Sequence, residues 1–292
     1  MDDTAKNLLK LQYCSGITWK DQYSVIKYNP DLSRLPHMTA GELASITNRS
    51  IKQTETLLQQ FNSLSDHHLY SSLQNSSAIF IPIFDQQYPE SLKRLPQPPW
   101  GLFAIGDVSL LSKTNNLAVV GARNGNQYGK EVLQMIVPAL VKKNISIVSG
   151  LARGIDAFSH EAALEACGKT IAVIAGGFNH FYPKENLKLA QRISKEGLIL
   201  SEYAPDKKPE KWQFPARNRI VSGLSKGILV VQAAKKSGSL ITVSFALEQG
   251  IDVFAVPGPI THKLSEGVHS LIGDGAKIVH SADDILSGWR QE

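Results

Sequence analysis

From residue 117 onward the sequence is punctuated by short apolar runs: Leu117–Val120, Ile145–Val148, Thr170–Ala175, Leu198–Leu200, Ile228–Val231 and Val253–Val256. Continuous runs of this length suit strands buried on both faces of a parallel sheet. Helical segments lie between most of them. Several of these close on a residue that tolerates a left-handed backbone, namely Asn144, Gly168, Gly197 and Gly250. Repeated β-α-β units with such stops predict an α/β fold with a doubly wound, mostly parallel sheet. Pro138 falls inside the first of these helices, where a kink is expected.

The chain upstream reads differently. Apolar spacing at Leu8–Leu9–Leu11, Leu43–Ile46 and Leu57–Leu58–Phe61 predicts short helices, with Asn29–Pro30, Leu35–Pro36 and the polar run at 71–77 as breaks. Ile79–Ile83 and Leu102–Ile105 read as two further strands, and the prolines at 96, 98 and 99 between them exclude regular structure there. The expected organisation is a small all-α domain over 1–75, a linker with extension strands over 76–112, and the α/β domain over 113–292.

Composition narrows the partners. No run approaches the ~18–20 apolar residues of a membrane span. The opening MDDTAKNLLKLQ has neither a basic start nor an apolar core, so a cytoplasmic protein is expected. Cys14 and Cys167 stand far apart and read as reduced thiols. The eight histidines show no metal-ligand spacing, and the pair His67–His68 reads as surface. Neither a metal nor a cofactor is expected. The net charge of +5 permits a polyanionic partner. The stretch 205–226 carries Lys207, Lys208, Lys211, Arg217, Arg219 and Lys226 against two acids. The stretch 113–153 carries Lys113, Arg123, Lys130, Lys142, Lys143 and Arg153 against Glu131 alone.

Ligands of a doubly wound sheet sit beyond the carboxyl ends of its strands, so the residues following each strand are the candidates. Gly121-Ala122-Arg123 offers backbone N–H groups at a helix start and a planar guanidinium. Its spacing matches neither G-x-G-x-x-G nor a P-loop, and Ser149–Gly150 stands where a dinucleotide site would want an acid. Ser149-Gly150-Leu151-Ala152-Arg153-Gly154 gathers a hydroxyl, two glycines and a cation, with Asp156 as the expected N-cap of the next helix and His160 as a packed or surface residue. Tyr182-Pro183-Lys184-Glu185-Asn186 places Pro183 at a first helical position, with Lys184 and Asn186 toward one ligand edge. Phe214-Pro215-Ala216-Arg217-Asn218-Arg219 combines a ring with two guanidinium groups, the pairing that holds single-stranded nucleic acid. Ser237-Gly238-Ser239 is a further anion nest. No catalytic constellation stands out. A row of such groups suits gripping a polymer backbone better than attacking a bond.

These motifs, in this order, with Val253–Gly258 and with Leu102–Asp107 upstream, resemble the DprA/Smf (DNA-processing protein A) family over roughly residues 80–286. The resemblance implies a Rossmann-like domain preceded by a SAM-like helical region, and a non-enzymatic protein that binds single-stranded DNA with little sequence preference. It further implies protection of incoming DNA during natural transformation, loading of the RecA recombinase, and a homodimer through the Rossmann-like domain. Arg123, Lys184 and the Arg217–Arg219 run would line the DNA groove, with backbone contacts from the turns at Gly121, Ser149–Gly150 and Ser237–Ser239. On that basis Arg123→Ala and Arg217→Ala should each weaken binding and leave the fold intact. Many members carry a C-terminal winged-helix domain, which this chain is expected to lack. Where many read Gly-Thr-Asn-x-Leu, this chain has Glu266–Leu271, a segment expected at the dimer surface. Gln232 stands where a glutamate is common.

Two other readings remain open at this point. The turn 237–242 with Glu248 on the following helix is also compatible with a phosphoribohydrolase-like nucleotide-processing enzyme, although the Pro-Gly-Gly-x-Gly-Thr turn of such enzymes is missing. A protein-interaction scaffold with little DNA affinity of its own is the third.

Overall fold

The structure is a computed structural model and describes residues 1–288; the last four positions of the expected 113–292 unit lie outside them. Five helices come first: α1 (Asp3–Tyr13), α2 (Trp19–Tyr28), α3 (Ala40–Thr47), α4 (Ile51–Ser63) and α5 (Asp66–Asn75). Each starts on a side chain that accepts a free backbone N–H: Asp2, Thr18, Thr39, Ser50 and Ser65. Helix α5 runs through most of the polar 71–77 stretch, because Leu69 and Leu73 are one turn apart and both buried.

A nine-stranded sheet follows: β1 (Ile79–Pro82), β2 (Gly101–Gly106), β3 (Asn116–Val120), β4 (Ser146–Ser149), β5 (Thr170–Ile174), β6 (Leu198–Ser201), β7 (Gly227–Val230), β8 (Asp252–Ala255) and β9 (Lys277–Ile278). Its order is β1-β2-β6-β5-β4-β3-β7-β8-β9. The strands from β3 to β9 pair in parallel; β2 joins β6, and β1 joins β2, antiparallel. The chain winds outward from β3 through β6, then returns to the other side of β3 with β7. The winding reverses between β3 and β7, and a crevice opens beyond their carboxyl ends. Two-residue β9 has no apolar run to announce it.

Side chains along each inner strand alternate between the faces. Ala118, Val120, Ile171 and Val173 meet α6 (Glu90–Lys93), α10 (Gln213–Gly223), α11 (Ser239–Glu248) and α12 (Glu266–Gly273). Leu117, Val119 and Ile147 meet α7 (Gln127–Val141), α8 (Ile155–Glu165) and α13 (Ala282–Gly288). On that second face, Ala172, Ile174 and Ile199 share a core with α9 (Leu187–Glu196) and with Leu8, Leu9, Leu43 and Phe61 of the N-terminal helices. Each fully buried Leu, Ile or Phe side chain there contributes about 1.5–3 kcal/mol, so the helical region is fixed to the sheet by a common core.

Some local expectations need correcting. Helix α7 runs from Gln127 to Val141 with Pro138 inside it, where the kink is expected. Asn144 (φ 57°) and Gly250 (φ 68°) are left-handed as expected, but the left-handed residue near Gly168 is Cys167 (φ 57°). Gly197 is not left-handed; its φ is −144° and its ψ −140°.

Candidate nucleic-acid interface

Beyond the ends of β3, β4 and β7 lies a cleft of about 800 Å³. Gly121, Arg123 and Asn124 form one wall and Gly150 the floor. Phe214, Arg217 and Asn218 of α10 form the opposite wall, and the Ser237-Gly238-Ser239 turn closes the end. Nine of the fifteen residues singled out from sequence meet here.

The floor is built around two buried, oppositely charged side chains that act on each other through space rather than in direct contact. Asp156 and Arg217 are 8% and 6% exposed. The Asp156 carboxylate accepts from the backbone N–H groups of Gly150 (3.2 Å) and Ala152 (3.3 Å). Arg217 reaches across Gly150 and donates to the carbonyl of Val173 at the end of β5. A Cβ at residue 150 would overlap the guanidinium, so glycine is required. Burial pushes the Asp156 carboxyl up, and Arg217 with the two N–H donors opposes that shift. Asp156 is therefore not the N-cap of α8. Gly154 holds that place at φ 69° and ψ −125°, a conformation open to residues without a side chain.

Helix α10 explains why only part of its basic run reaches the cleft. Residues 214, 217, 218 and 221 recur at helical spacing and all line it. Arg219 falls on another face and donates to Glu202 at 2.6 Å, both side chains being largely buried. The ring of Phe214 faces the Arg123 guanidinium at 5.7 Å and meets Tyr182 edge-on at 5.8 Å. Arg123 is exposed, so its charge is open to a ligand. Arg217 is buried and spends its guanidinium on the carbonyl of Val173, which argues against the expectation that Arg217→Ala leaves the fold intact, since it would remove a buried donor and the positive charge nearest Asp156.

The remaining sequence-derived residues lie outside the cleft lining. Ser149 is buried and donates to the carbonyl of Val119 at 2.6 Å inside the sheet. Arg153 pairs with Glu185. Asn186 turns inward, its amide donating to the carbonyls of Leu151 and Ala152 at 3.0 Å, so it does not share a ligand edge with Lys184. Lys184 is exposed on a 3₁₀ turn two residues past the cleft residue Tyr182. Pro183 precedes that turn, and α9 starts only at Leu187. His160 is fully buried. Its Nδ1 lies 2.6 Å from the Thr170 hydroxyl, which itself donates to Ile147.

Asn124, Tyr182, Thr242 and above all Lys211, an exposed cation at the cleft, belong to motifs and stretches read from the sequence but are not among the fifteen residues assigned to the site. Lys211 stands three residues before Phe214, and Thr242 three after Ser239, a spacing that helical periodicity could have exposed. Gln232 ties the loop after β7 to the start of α7: its side chain accepts from Asn126 N (3.0 Å) and donates to Asn126 Oδ1 (2.8 Å). Among the described residues no helix is long and apolar enough to cross a membrane.

Comparison with known proteins agrees with this architecture. The chain is 53% identical to the DNA processing protein DprA of Bacillus subtilis over 206 residues, 70% of this chain and 69% of that one. It is 40% identical to its Streptococcus pneumoniae counterpart over 273 residues, 94% of each. The crystal structure of the S. pneumoniae protein superposes over the full length of both chains with a TM-score of 0.87 at 38% identity. A Helicobacter pylori DprA structure, which concerns that protein's single-stranded DNA binding mode, superposes on 72% of this chain and 94% of its own with a TM-score of 0.66 at 31% identity. The model of the family described as DNA recombination-mediator protein A matches residues 79–290. A match that starts at β1 and spans every strand of the sheet, together with these relatives, makes the chain a member of the DNA recombination-mediator protein A family.

Proposed function

We propose that this protein binds single-stranded DNA in the cleft beyond β3, β4 and β7, without catalysing a reaction there. The carrying observation is Arg123 set over the Phe214 ring at the mouth of the cleft. A guanidinium for a phosphate beside an aromatic face for a base is the pairing that retains single strands irrespective of sequence. Lys211 and Lys184 add exposed positive charge nearby, and the Ser237-Gly238-Ser239 turn at the start of α11 lines the same space. Gly150 is the floor of the site, held in shape by Arg217 across it and by Ser149 inside the sheet. Arg153, Gly154, Asn186 and Arg219 shape the surrounding loops.

The finer reading is that the bound strand is protected and passed to the RecA recombinase in the cytoplasm, and that two copies pair through the Rossmann-like domain. β9, with one strand neighbour and Ile278 45% exposed, is an open sheet edge next to the 266–271 segment, which supports pairing there. Sedimentation of the protein as a monomer at micromolar concentration would contradict the pairing. RecA capture that disappears on DNase treatment would contradict a direct RecA contact. The division at 1–75, 76–112 and 113–292 belongs to the same reading.

The phosphoribohydrolase-like alternative needs a carboxylate at the Ser237–Ser239 turn. Glu248 is exposed at the opposite end of α11, about 13 Å along the axis. The carboxylate that does line the cleft, Asp156, is engaged by two backbone donors, with the Arg217 charge nearby. Incubation with nucleoside monophosphates is expected to release no free base. Release of base would restore the enzyme reading.

A further inference from the structure

The N-terminal helices carry an aromatic stack at the edge of the sheet that the cleft opens on. Trp19, the first residue of α2, lies against Tyr23 at 5.4 Å and 13° and against Trp100 at 5.5 Å and 23°. The two indoles are committed to holding the segment before β2: Trp19 Nε1 donates to the carbonyl of Pro98 (2.7 Å) and Trp100 Nε1 to that of Trp19 (3.3 Å). Tyr23 also meets Trp100 at 6.4 Å and 35°, completing a three-ring cluster, and it is 43% exposed. The Lys27 ammonium stands 5.9 Å from its ring centre. Lys20 and Lys27 are exposed. The pattern of a ring with a cation over it repeats that of Phe214 under Arg123 in the cleft.

Topology sets the two places on one edge. β2 runs antiparallel to β6 with Phe103 opposite Ser201. Trp100, three residues before Phe103, therefore leaves the sheet where β6 ends, on the side of the parallel strands' carboxyl ends. From β4 to β2 is three strand steps, about 14 Å. Along that edge, the loop after β6 presents Lys208 and Lys211, and Trp212, which is 57% exposed and edge-on to Tyr203 at 6.0 Å.

We propose that Tyr23, with Lys20 and Lys27, is a second contact for single-stranded DNA, continuing past Trp212 the path that begins in the cleft. The proposal rests on the cleft being a single-strand site. Packing accounts for Trp19 and Trp100. It does not account for a ring that keeps 43% of its surface exposed beside two exposed cations. The occupant is a polyanion with stackable bases, continuous with the strand in the cleft.

The test compares labelled oligo-dT of about 6 and about 25 nucleotides, one within and one beyond the length a single such site holds, by fluorescence anisotropy. The proteins are the wild type, Tyr23→Leu and the double variant Lys20→Gln/Lys27→Gln. Leucine keeps an apolar contact on Trp19 and removes the ring face. The expected result is a loss of about tenfold for the long oligomer in each variant, in line with loss of one stacked base or of charge contacts, and unchanged binding of the short one. Equal binding of the long oligomer by wild type and variants would overturn the second contact while leaving the cleft reading standing. Equal losses at both lengths would overturn it too, since the patch would then act through the cleft. A wild type that binds neither length would mean that the cleft reading itself had failed, and the second contact with it.

Discussion

The Arg217 guanidinium occupies the space directly over Gly150 that a side chain would need, and ends on the carbonyl of Val173. One helix thereby reaches under the cleft to the ends of β4 and β5. The residue that most resembles a phosphate contact in the sequence is the keystone of the cleft floor.

Arg217→Ala is expected to cost about 1–3 kcal/mol, the range for losing a buried hydrogen-bonding partner, because the Val173 carbonyl loses its donor and Asp156 loses the nearby positive charge that favours its ionised form. Gly150→Ala should cost about 1–3 kcal/mol as an overpacking substitution. Urea denaturation measures both. An Arg217→Ala protein of wild-type stability that has lost DNA binding would move Arg217 back among the direct contacts.

The exposed cations should behave differently. Arg123→Ala, Lys184→Ala and Lys211→Ala are each expected to leave the urea midpoint unchanged and to lower the salt slope of single-strand binding by about 0.7, the value for one phosphate contact on a single strand. A slope unchanged in any of the three excludes that residue as a phosphate contact.

Phe214→Leu separates stacking from charge. Affinity for oligo-dT is expected to fall by about 1–3 kcal/mol, the contribution of one stacked base, with the salt slope unaltered. Unchanged affinity would remove the ring from the site.

His160 predicts a pH dependence of stability. The Thr170 hydroxyl spends its proton on Ile147, so it accepts from His160, and Nδ1 of the imidazole carries the hydrogen. Burial, aided by the Arg217 charge, pushes the imidazole down to about 3 from an ordinary 6.5. Between those values the unfolded chain takes up a proton that the native protein does not. The stability contributed by neutral His160 is complete above pH 6.5 and is lost as pH falls toward 3, at up to about 1.4 kcal/mol per pH unit. His160→Asn keeps a donor toward Thr170 and cannot titrate. Urea midpoints of the two proteins between pH 7 and 5 should fall more steeply for the wild type, and parallel curves would contradict the assignment.

The sheet was legible because its inner strands are mostly apolar on both faces, and each observed strand from β3 to β8 lies within one residue of its run. The family likeness was legible from ordered motifs at the strand ends. What escaped was direction. Sequence places Arg217 and Arg219 in one basic run, but a helix turns successive residues by about 100°, which sends Arg217 under the cleft and Arg219 to Glu202. Ser149 and Asn186 look like ligand donors in sequence, and their partners are backbone carbonyls brought near only by the fold. Helices α2 and α5 escaped because their buried faces are narrow, although Thr18 and Ser65 stand ready as caps.

The central claim is that the cleft holds a single strand by its phosphates and bases. Titration of labelled oligo-dT and a matched duplex, followed by anisotropy at several salt concentrations, tests it most directly. The account predicts preference for the single strand and a linear fall of log affinity with log salt of about 0.7 per phosphate engaged. Binding to neither DNA at low salt, or affinity indifferent to salt, would contradict it.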